Sequence, residues 1–276
     1  MRYLAPAKLN LFLHITGRRP DGYHNLETVF QLVDLCDELT ITTRDDGRIQ
    51  RNPPPTDPLL AAMDDAQDLT VRAARLLQQE SGTALGANIH VLKRIPAGGG
   101  LGGGSSDAAC VLLALNRQWG LDLPLPRLAQ LGLALGSDVP VFVHGHSAFA
   151  SGRGEELTPL NLPERWFLIV HPPVSISTRE LFAAPQLTRD TPALKIRALP
   201  EDGGRNDFQP VVCERYPEVA EVLWHLRHFG VRMTGTGACV FVATPTRAAA
   251  EQIRLQLPQQ WRVQIVRGLQ NSPFQG

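Results

Sequence analysis

Between Pro96 and Ala109 the chain reads P-A-G-G-G-L-G-G-G-S-S-D-A-A, and six of its 24 glycines fall in the seven positions 98–104. Glycine loses more conformational freedom on folding than any other residue. Such a run is therefore kept only where the backbone must turn sharply or let another group come close. Residues 89–95 read as a strand before it, and residues 105–119 read as a helix directly after it. A flexible linker would not be set between a strand and an apolar helix. A helix N-terminus carries unpaired N–H groups and a partial positive charge, which together suit a phosphate. Ser105 and Ser106 can cap that helix and can also offer hydroxyls to a phosphate or to magnesium.

Several glycine loops fail to match. A Walker A loop needs Lys before its Ser, and here Gly104 precedes Ser105. Gly98, Gly100 and Gly103 fit G-x-G-x-x-G, and Asp122 lies at a distance suited to a ribose-binding acid. Yet no second buried strand stands between Gly103 and Asp122, and residues 120–126 are broken by prolines. The H-R-D and D-F-G motifs of protein kinases are missing. A G-x-S-x-G elbow is missing too, because Ala108 occupies its last position.

Composition narrows the field further. Hydrophobic residues make up 43% and charged residues 20% of 276, a globular mix; 27 Lys+Arg balance 27 Asp+Glu. Zero net charge argues against a general nucleic-acid or anionic-membrane partner, since both depend on excess positive charge. The four cysteines show no C-x-x-C spacing, which speaks against a zinc site or a disulfide framework and for a reducing cytoplasm. The paired histidines His144/His146 and His225/His228 have no ligand partner at metal spacing, so no protein-held metal is expected. Pro6, Lys8 and Asn10 interrupt any signal-peptide core, and no apolar run approaches the ~20 residues of a membrane helix.

Leu9, Leu11, Leu13 and Ile15 alternate with Lys8, Asn10, Phe12 and His14, as the two faces of a strand do. Further strands are expected at 29–33, 39–43, 139–143, 166–170 and 262–266, with two more around the turn 234–237 inside 231–243. Helices are expected at 69–79, capped by Asp68 and followed by Gly82, and at 125–135, 217–229 and 246–257. The four prolines within 52–58 mark a loop. Strands and helices do not alternate regularly, so an α+β fold is favoured over a doubly wound sheet. A change of texture at 150–165 places a boundary between domains 1–155 and 156–276, with a tail that can return to the first.

The glycine loop resembles the phosphate loop of the GHMP kinase superfamily, small-molecule kinases with a P-x-x-x-G-L-G-S-S-A-A type signature. Its triple-glycine form, G-G-G-L-G-G-G-S-S, looks like the 4-diphosphocytidyl-2-C-methyl-D-erythritol kinase family within it. Four more segments are similar to that family in order: P-A-K-L-N-L-F-L-H-I at 6–15, R-P-D-G-Y-H-N-L-E-T-V-F-Q at 19–31, G-S-D-V-P-V-F at 136–142 and M-T-G-T-G-A-C-V-F at 233–241. The resemblance implies a two-domain α+β kinase. It would transfer phosphate from ATP, with Mg2+ carried by ATP, to the 2-hydroxyl of a cytidine-diphosphate substrate in the non-mevalonate isoprenoid route.

It also implies roles for single residues. Pro96, Ala97, Gly98, Gly99, Gly100, Leu101, Gly102, Gly103, Gly104, Ser105 and Ser106 would cradle the triphosphate. Lys93 and Leu69 would lie on the adenine side. Asp138, which unaided could equally cap a helix, would be the base. Lys8, which by local pattern could be a solvated edge lysine, would pair with Asp138 and polarise the attacking hydroxyl. Asn10 would bind substrate, and Tyr23 and His24 would hold a cytosine ring opposite Phe182. Without the resemblance, Tyr23 and His24 are also readable as ordinary loop residues. Gly235 and Gly237 could touch a ligand or back the phosphate loop. Rival readings are another GHMP kinase, acting on mevalonate, homoserine or a sugar, and a nucleotide-binding regulator. The first lacks a use for Tyr23-His24, and the second would have no need of both Lys8 and Asp138.

Overall fold

The computed structural model describes residues 1–52, 64–194 and 203–274. Most of the loop expected at 52–58 therefore lies outside the described residues. Two long strands begin the chain, β1 (Arg2–Arg18) and β2 (His24–Arg44). They pair antiparallel from Arg2↔Thr40 to Arg18↔His24, with irregularities after Pro6, Asn10 and Ile15. The strands expected separately at 29–33 and 39–43 are one strand. The polar stretch between them does not end it, because the buried Asp37 carboxylate accepts hydrogen bonds from the backbone N–H groups of Arg94 (2.6 Å) and Ile95 (2.9 Å). An acid satisfied by backbone donors can remain inside a sheet.

β2 is the spine of the sheet. β4 (Gly86–Leu92) runs along its residues 38–44, with β3 (Ile49–Arg51) parallel to β4 on the far side. β5 (Ala148–Ser151) pairs with residues 28–30 of β2 and with β6 (Glu156–Pro159). β10 (Arg262–Leu269) sets Gly268 and Leu269 against Val33 and Leu32, while its earlier residues pair with β7 (Trp166–His171). β7 continues to β9 (Val240–Thr244) and β9 to β8 (Arg232–Met233). The closing strand is thus longer than the expected 262–266. Phe274 beyond it stacks on Tyr3 of β1 at 5.2 Å.

Helices cover this sheet as an α+β arrangement. α1 (Leu69–Ser81) starts on Asp68, whose side chain accepts from the N–H groups of Thr70 and Val71, and stops at Gly82 in the left-handed region. α2 (Gly103–Gln118) is buried almost all round, from Ser106 through Leu112, because α1, β1, β2, α3 (Leu125–Leu135) and α4 (Val139–His144) all pack on it. A helix without a polar face needs such surroundings. Residues 139–143 were expected as a strand and form α4 instead. A short apolar run carries no period that separates strand from buried helix, and Pro140, at the start of the segment, suits a first helical turn.

Beyond β7, α5 (Thr178–Ala183), α6 (Gln209–Arg215), α7 (Pro217–His225) and α8 (Arg247–Arg254) bury a second core against β7 and β9. The expected helix 217–229 ends at His225, and a separate 3-10 turn follows at Arg227–Phe229. A third cluster, with Leu9, Phe12, Phe149, Phe167 and Phe241, joins the two halves. β1 is consequently buried on both faces from Ala5 to Ile15. Among the described residues no helix is long and apolar enough to cross a membrane.

Leu112, fully buried on α2 in the first core, gives a direct test of this packing. Leu112→Ala should lower unfolding stability by ~2–5 kcal/mol, read as a lower urea midpoint with an unchanged slope.

Candidate active site

A cavity of ≈ 720 Å³ opens between the glycine loop, β1, the start of α1, the turn before α4 and α5. Lys8, Asn10, Leu69, Lys93, Asp138 and Phe182 line it, as do Pro96, Ala97, residues 98–104 and Ser105. Most of the residues singled out in sequence therefore meet in one place. Ser106 is buried behind the wall, and Tyr23 and His24 stand outside it.

The loop turns through positive φ at Gly98, Gly100 and Gly102 and delivers the chain into α2. Helix α2 begins at Gly103, earlier than expected, and its N-cap is Gly102 with no side-chain cap. Ser105 and Ser106 thus lie inside the first turn and do not cap it. The first-turn N–H groups keep no side-chain partner, as an anion site at a helix start requires.

The glycines answer to the protein itself. A Cβ on Gly100 would lie 2.4 Å from the Thr234 carbonyl oxygen, and one on Gly99 would lie 2.6 Å from Cys239 Sγ. The group that approaches this backbone is the turn 233–237. Gly235 sits back to back with Gly100, and the N–H of Cys239 donates to the Gly99 carbonyl at 3.2 Å. Gly235 and Gly237 also reach the cavity wall, so backing the loop and facing the ligand are compatible.

Lys8 is only 2% exposed. Its ammonium donates to Asn10 Oδ1 at 2.6 Å and to the Gly100 carbonyl at 2.9 Å, and lies 3.2 Å from Asp138 Oδ2. Two of its donors are thereby hydrogen-bonded, and the Asp138 carboxylate pairs with its charge. The solvated-edge reading fails because both faces of β1 are covered. Asn10 is held in turn by Thr28, whose hydroxyl accepts from Asn10 Nδ2 at 2.9 Å. Asp138 precedes α4 without capping it by a side-chain bond, and its side chain remains one-third exposed to the cavity.

Lys93 has close partners of its own. It is paired with Asp37 and with Asp107 Oδ2, the latter at 2.8 Å. Burial lowers its pKa, but the Asp107 and Asp37 carboxylates outweigh burial and raise it. Burial pushes Asp107 up to about 7 against the pull of Lys93, with Asp37 adding to the rise. Asp107 Oδ1 is buried without a hydrogen-bond partner. Sequence reasoning passed over Asp37 and Asp107. An acid inside an apolar strand and an acid inside the loop motif itself were the available signals.

The aromatic wall differs from a simple pair of jaws. Phe182 lines the cavity and is stacked by the His24 ring at 4.9 Å, with 22° between planes. Burial, then the nearby Arg189 and Arg18 charges, lowers the His24 pKa, and its Nε2 is buried with no partner. A neutral imidazole with a free ring nitrogen suits the edge of a base. Tyr23 is 50% exposed and follows the tight turn at Gly22, where φ is 88°. The Arg153 guanidinium covers the Tyr23 ring at 3.6 Å.

The family described as GHMP kinases N terminal domain matches residues 68–146, and GHMP kinases C terminal matches 186–263. The 4-diphosphocytidyl-2-C-methyl-D-erythritol kinase of Thiobacillus denitrificans is 53% identical over 271 residues, 98% of this chain and 96% of that one. The enzyme of the same name from Ectopseudomonas mendocina is 55% identical over 92% of this chain and 86% of its own. A crystal structure of 4-(cytidine 5'-diphospho)-2C-methyl-D-erythritol kinase superposes with a TM-score of 0.79 at 33% identity, covering 97% of this chain and 99% of that one. Methanococcus jannaschii mevalonate kinase shares the fold at a TM-score of 0.71 and 15% identity, over 98% of both chains.

The Asp107 environment has a measurable consequence. A carboxyl whose pKa rises from 3.8 to about 7 on folding binds its proton more readily in the folded state. Its contribution to stability therefore falls as pH rises through that window. Asp107→Asn removes the contribution. The melting temperature of the variant minus that of the parent should increase from pH 4 to pH 8. A difference independent of pH would show that Asp107 does not titrate there.

Proposed function

Because the chain belongs to the 4-diphosphocytidyl-2-C-methyl-D-erythritol kinases of the GHMP kinase superfamily, we propose that Asp138 and Lys8 form its phosphoryl-transfer centre. The protein is an ATP-dependent small-molecule kinase, and it phosphorylates the cytidine-diphosphate methylerythritol substrate of the non-mevalonate isoprenoid route. The observation that carries the residue assignment is the Lys8–Asp138 pair, 3.2 Å apart and tied to the glycine loop through the Gly100 carbonyl.

In this reading the substrate's 2-hydroxyl enters beside Asp138, whose Oδ1 is left free by Lys8 and takes the proton as the oxygen attacks the γ-phosphorus. Lys8 polarises that hydroxyl and offsets charge as the proton leaves. The open N–H groups at the start of α2 hold the phosphate chain, where fixed donors in a water-poor site stabilise developing charge. Transfer is direct and in line, giving the 2-phosphate and ADP. Asn10 orients the substrate. Phe182, His24 and Tyr23 receive the cytosine, and Leu69 and Lys93 bound the adenine side.

Mg2+ carried with ATP would supply charge neutralisation at the phosphates. The oxygen donors at the helix start suit it: Ser105 and Ser106 lie in the first turn, and Ser106 Oγ is buried without a partner. Among the described residues no cluster of three or more His, Cys, Asp or Glu could hold an ion by itself. Four free cysteines accord with a cytoplasmic setting.

Asp138→Asn should fold, keep its KM for ATP, and lose about 10²–10⁴ in kcat. ADP release with the cytidine-diphosphate substrate reads this directly, with mevalonate and homoserine as controls. A variant that keeps more than about a tenth of the parent rate would remove Asp138 from the role of base.

A further inference from the structure

Among the described residues three cations line the cavity, Lys8, Lys93 and Arg153. Lys8 is paired with Asp138, and Lys93 with Asp37 and Asp107. Arg153 has no ion-pair partner among the described residues, although its Nε is buried without a hydrogen-bond acceptor. The Asp21 carboxylate feels its charge without closing an ion pair, so this half-buried guanidinium keeps donors for an anionic ligand.

Its position selects which anion. Arg153 sits in the turn between β5 and β6, and this turn is fastened to the start of β2 by a hydrogen bond from the Leu26 N–H to the Gly152 carbonyl at 2.7 Å. The guanidinium carbon lies over Tyr23, 3.6 Å from the ring centroid. The next residue, Gly154, backs onto the carbonyl of Ser137, the neighbour of Asp138. Arg153 therefore stands between the base-binding aromatics and the reacting centre, on the wall built from β2 and β5. The glycine loop holds the helix start on its own segment of the wall.

We infer that Arg153 binds the diphosphate of the cytidine substrate, with Tyr23 fixing the plane of its guanidinium. The inference rests on the substrate reading above. That substrate carries two phosphates between its nucleoside and the alcohol to be phosphorylated. A fixed guanidinium meets phosphate oxygens with paired donors. It would hold the middle of the molecule while the aromatics hold one end and Asp138 the other. Arg153 acts here as a specificity residue, favouring phosphorylated cytidines over neutral ones.

Binding of cytidine and of cytidine 5′-diphosphate, measured by calorimetry on the parent, Arg153→Gln and Arg153→Lys, tests this. The parent should prefer the diphosphate. Arg153→Gln should weaken the diphosphate roughly 10- to 100-fold and cytidine less than about 2-fold, with KM for ATP unchanged. Arg153→Lys, which keeps the charge, should recover part of the loss and confirms that the variants fold. Equal losses for cytidine and its diphosphate would overturn the inference, because Arg153 would then act only through Tyr23. A raised KM for ATP with unchanged diphosphate binding would overturn it in favour of the ATP phosphates. Unchanged binding throughout would also reject it. Failure of the substrate reading is separately visible, since the parent itself would then release no ADP with the full cytidine-diphosphate substrate.

Discussion

A buried lysine must have its ammonium charge compensated, and Lys8 draws its partners from three different parts of the molecule. Asn10 belongs to its own strand, Gly100 to the glycine loop, and Asp138 to the entry of α4. Removing a charge from water costs several kcal/mol unless close partners replace the lost hydration. The three elements are therefore held to one arrangement, or the ammonium is left uncompensated. The same constraint sets the carboxylate of Asp138 beside the mouth of the phosphate loop, where a phosphoryl acceptor must stand.

Around that point the loop is fixed from behind. Gly100 touches Gly235, and the turn that carries Gly235 is held by Asn206, whose Nδ2 donates to the carbonyls of Met233 (2.9 Å) and Gly235 (2.8 Å). The second core thus supports a loop that opens onto the first. The long strand β2 and the crossing of β10 between β2 and β7 provide the rigid frame for this. Rigid backing matters because donors that stabilise developing charge help only if they need not reorganise. The wall opposite is less uniform: the His24–Phe182 stack is backed by the second core, whereas Tyr23 is exposed and braced by Arg153.

Much of this was legible in the chain. The glycine run, its place between a strand and a helix, and the in-order segments around Lys8, Tyr23-His24, Asp138 and Gly235 mark both the superfamily and most of the cavity wall. The misreadings have one origin. Residues 139–143 look like a strand because five apolar residues in a row show no period, and only the surroundings of α4 on α2 and α3 decide for helix. β2 looks like two strands because Asp34 and Asp37 interrupt the apolar pattern. The donors that make Asp37 tolerable come from residues 94 and 95, remote in sequence.

Local rules written in side-chain chemistry were settled by sequence alone. Asp68 caps α1 and Gly82 ends it in the left-handed region. Tertiary structure alone decided how charge is distributed. Lys8, Lys93 and Arg153 are all cations in sequence, yet two of them are paired inside the fold while the third, on the cavity wall, forms no ion pair among the described residues. Asp107 and Asp138 are both acids, yet burial lifts the first to about 7 and the second stays open to the cavity beside Lys8. Burial and partners depend on which segments meet in space, and a buried charge is governed by its neighbours within a few ångströms, most of which are distant along the chain.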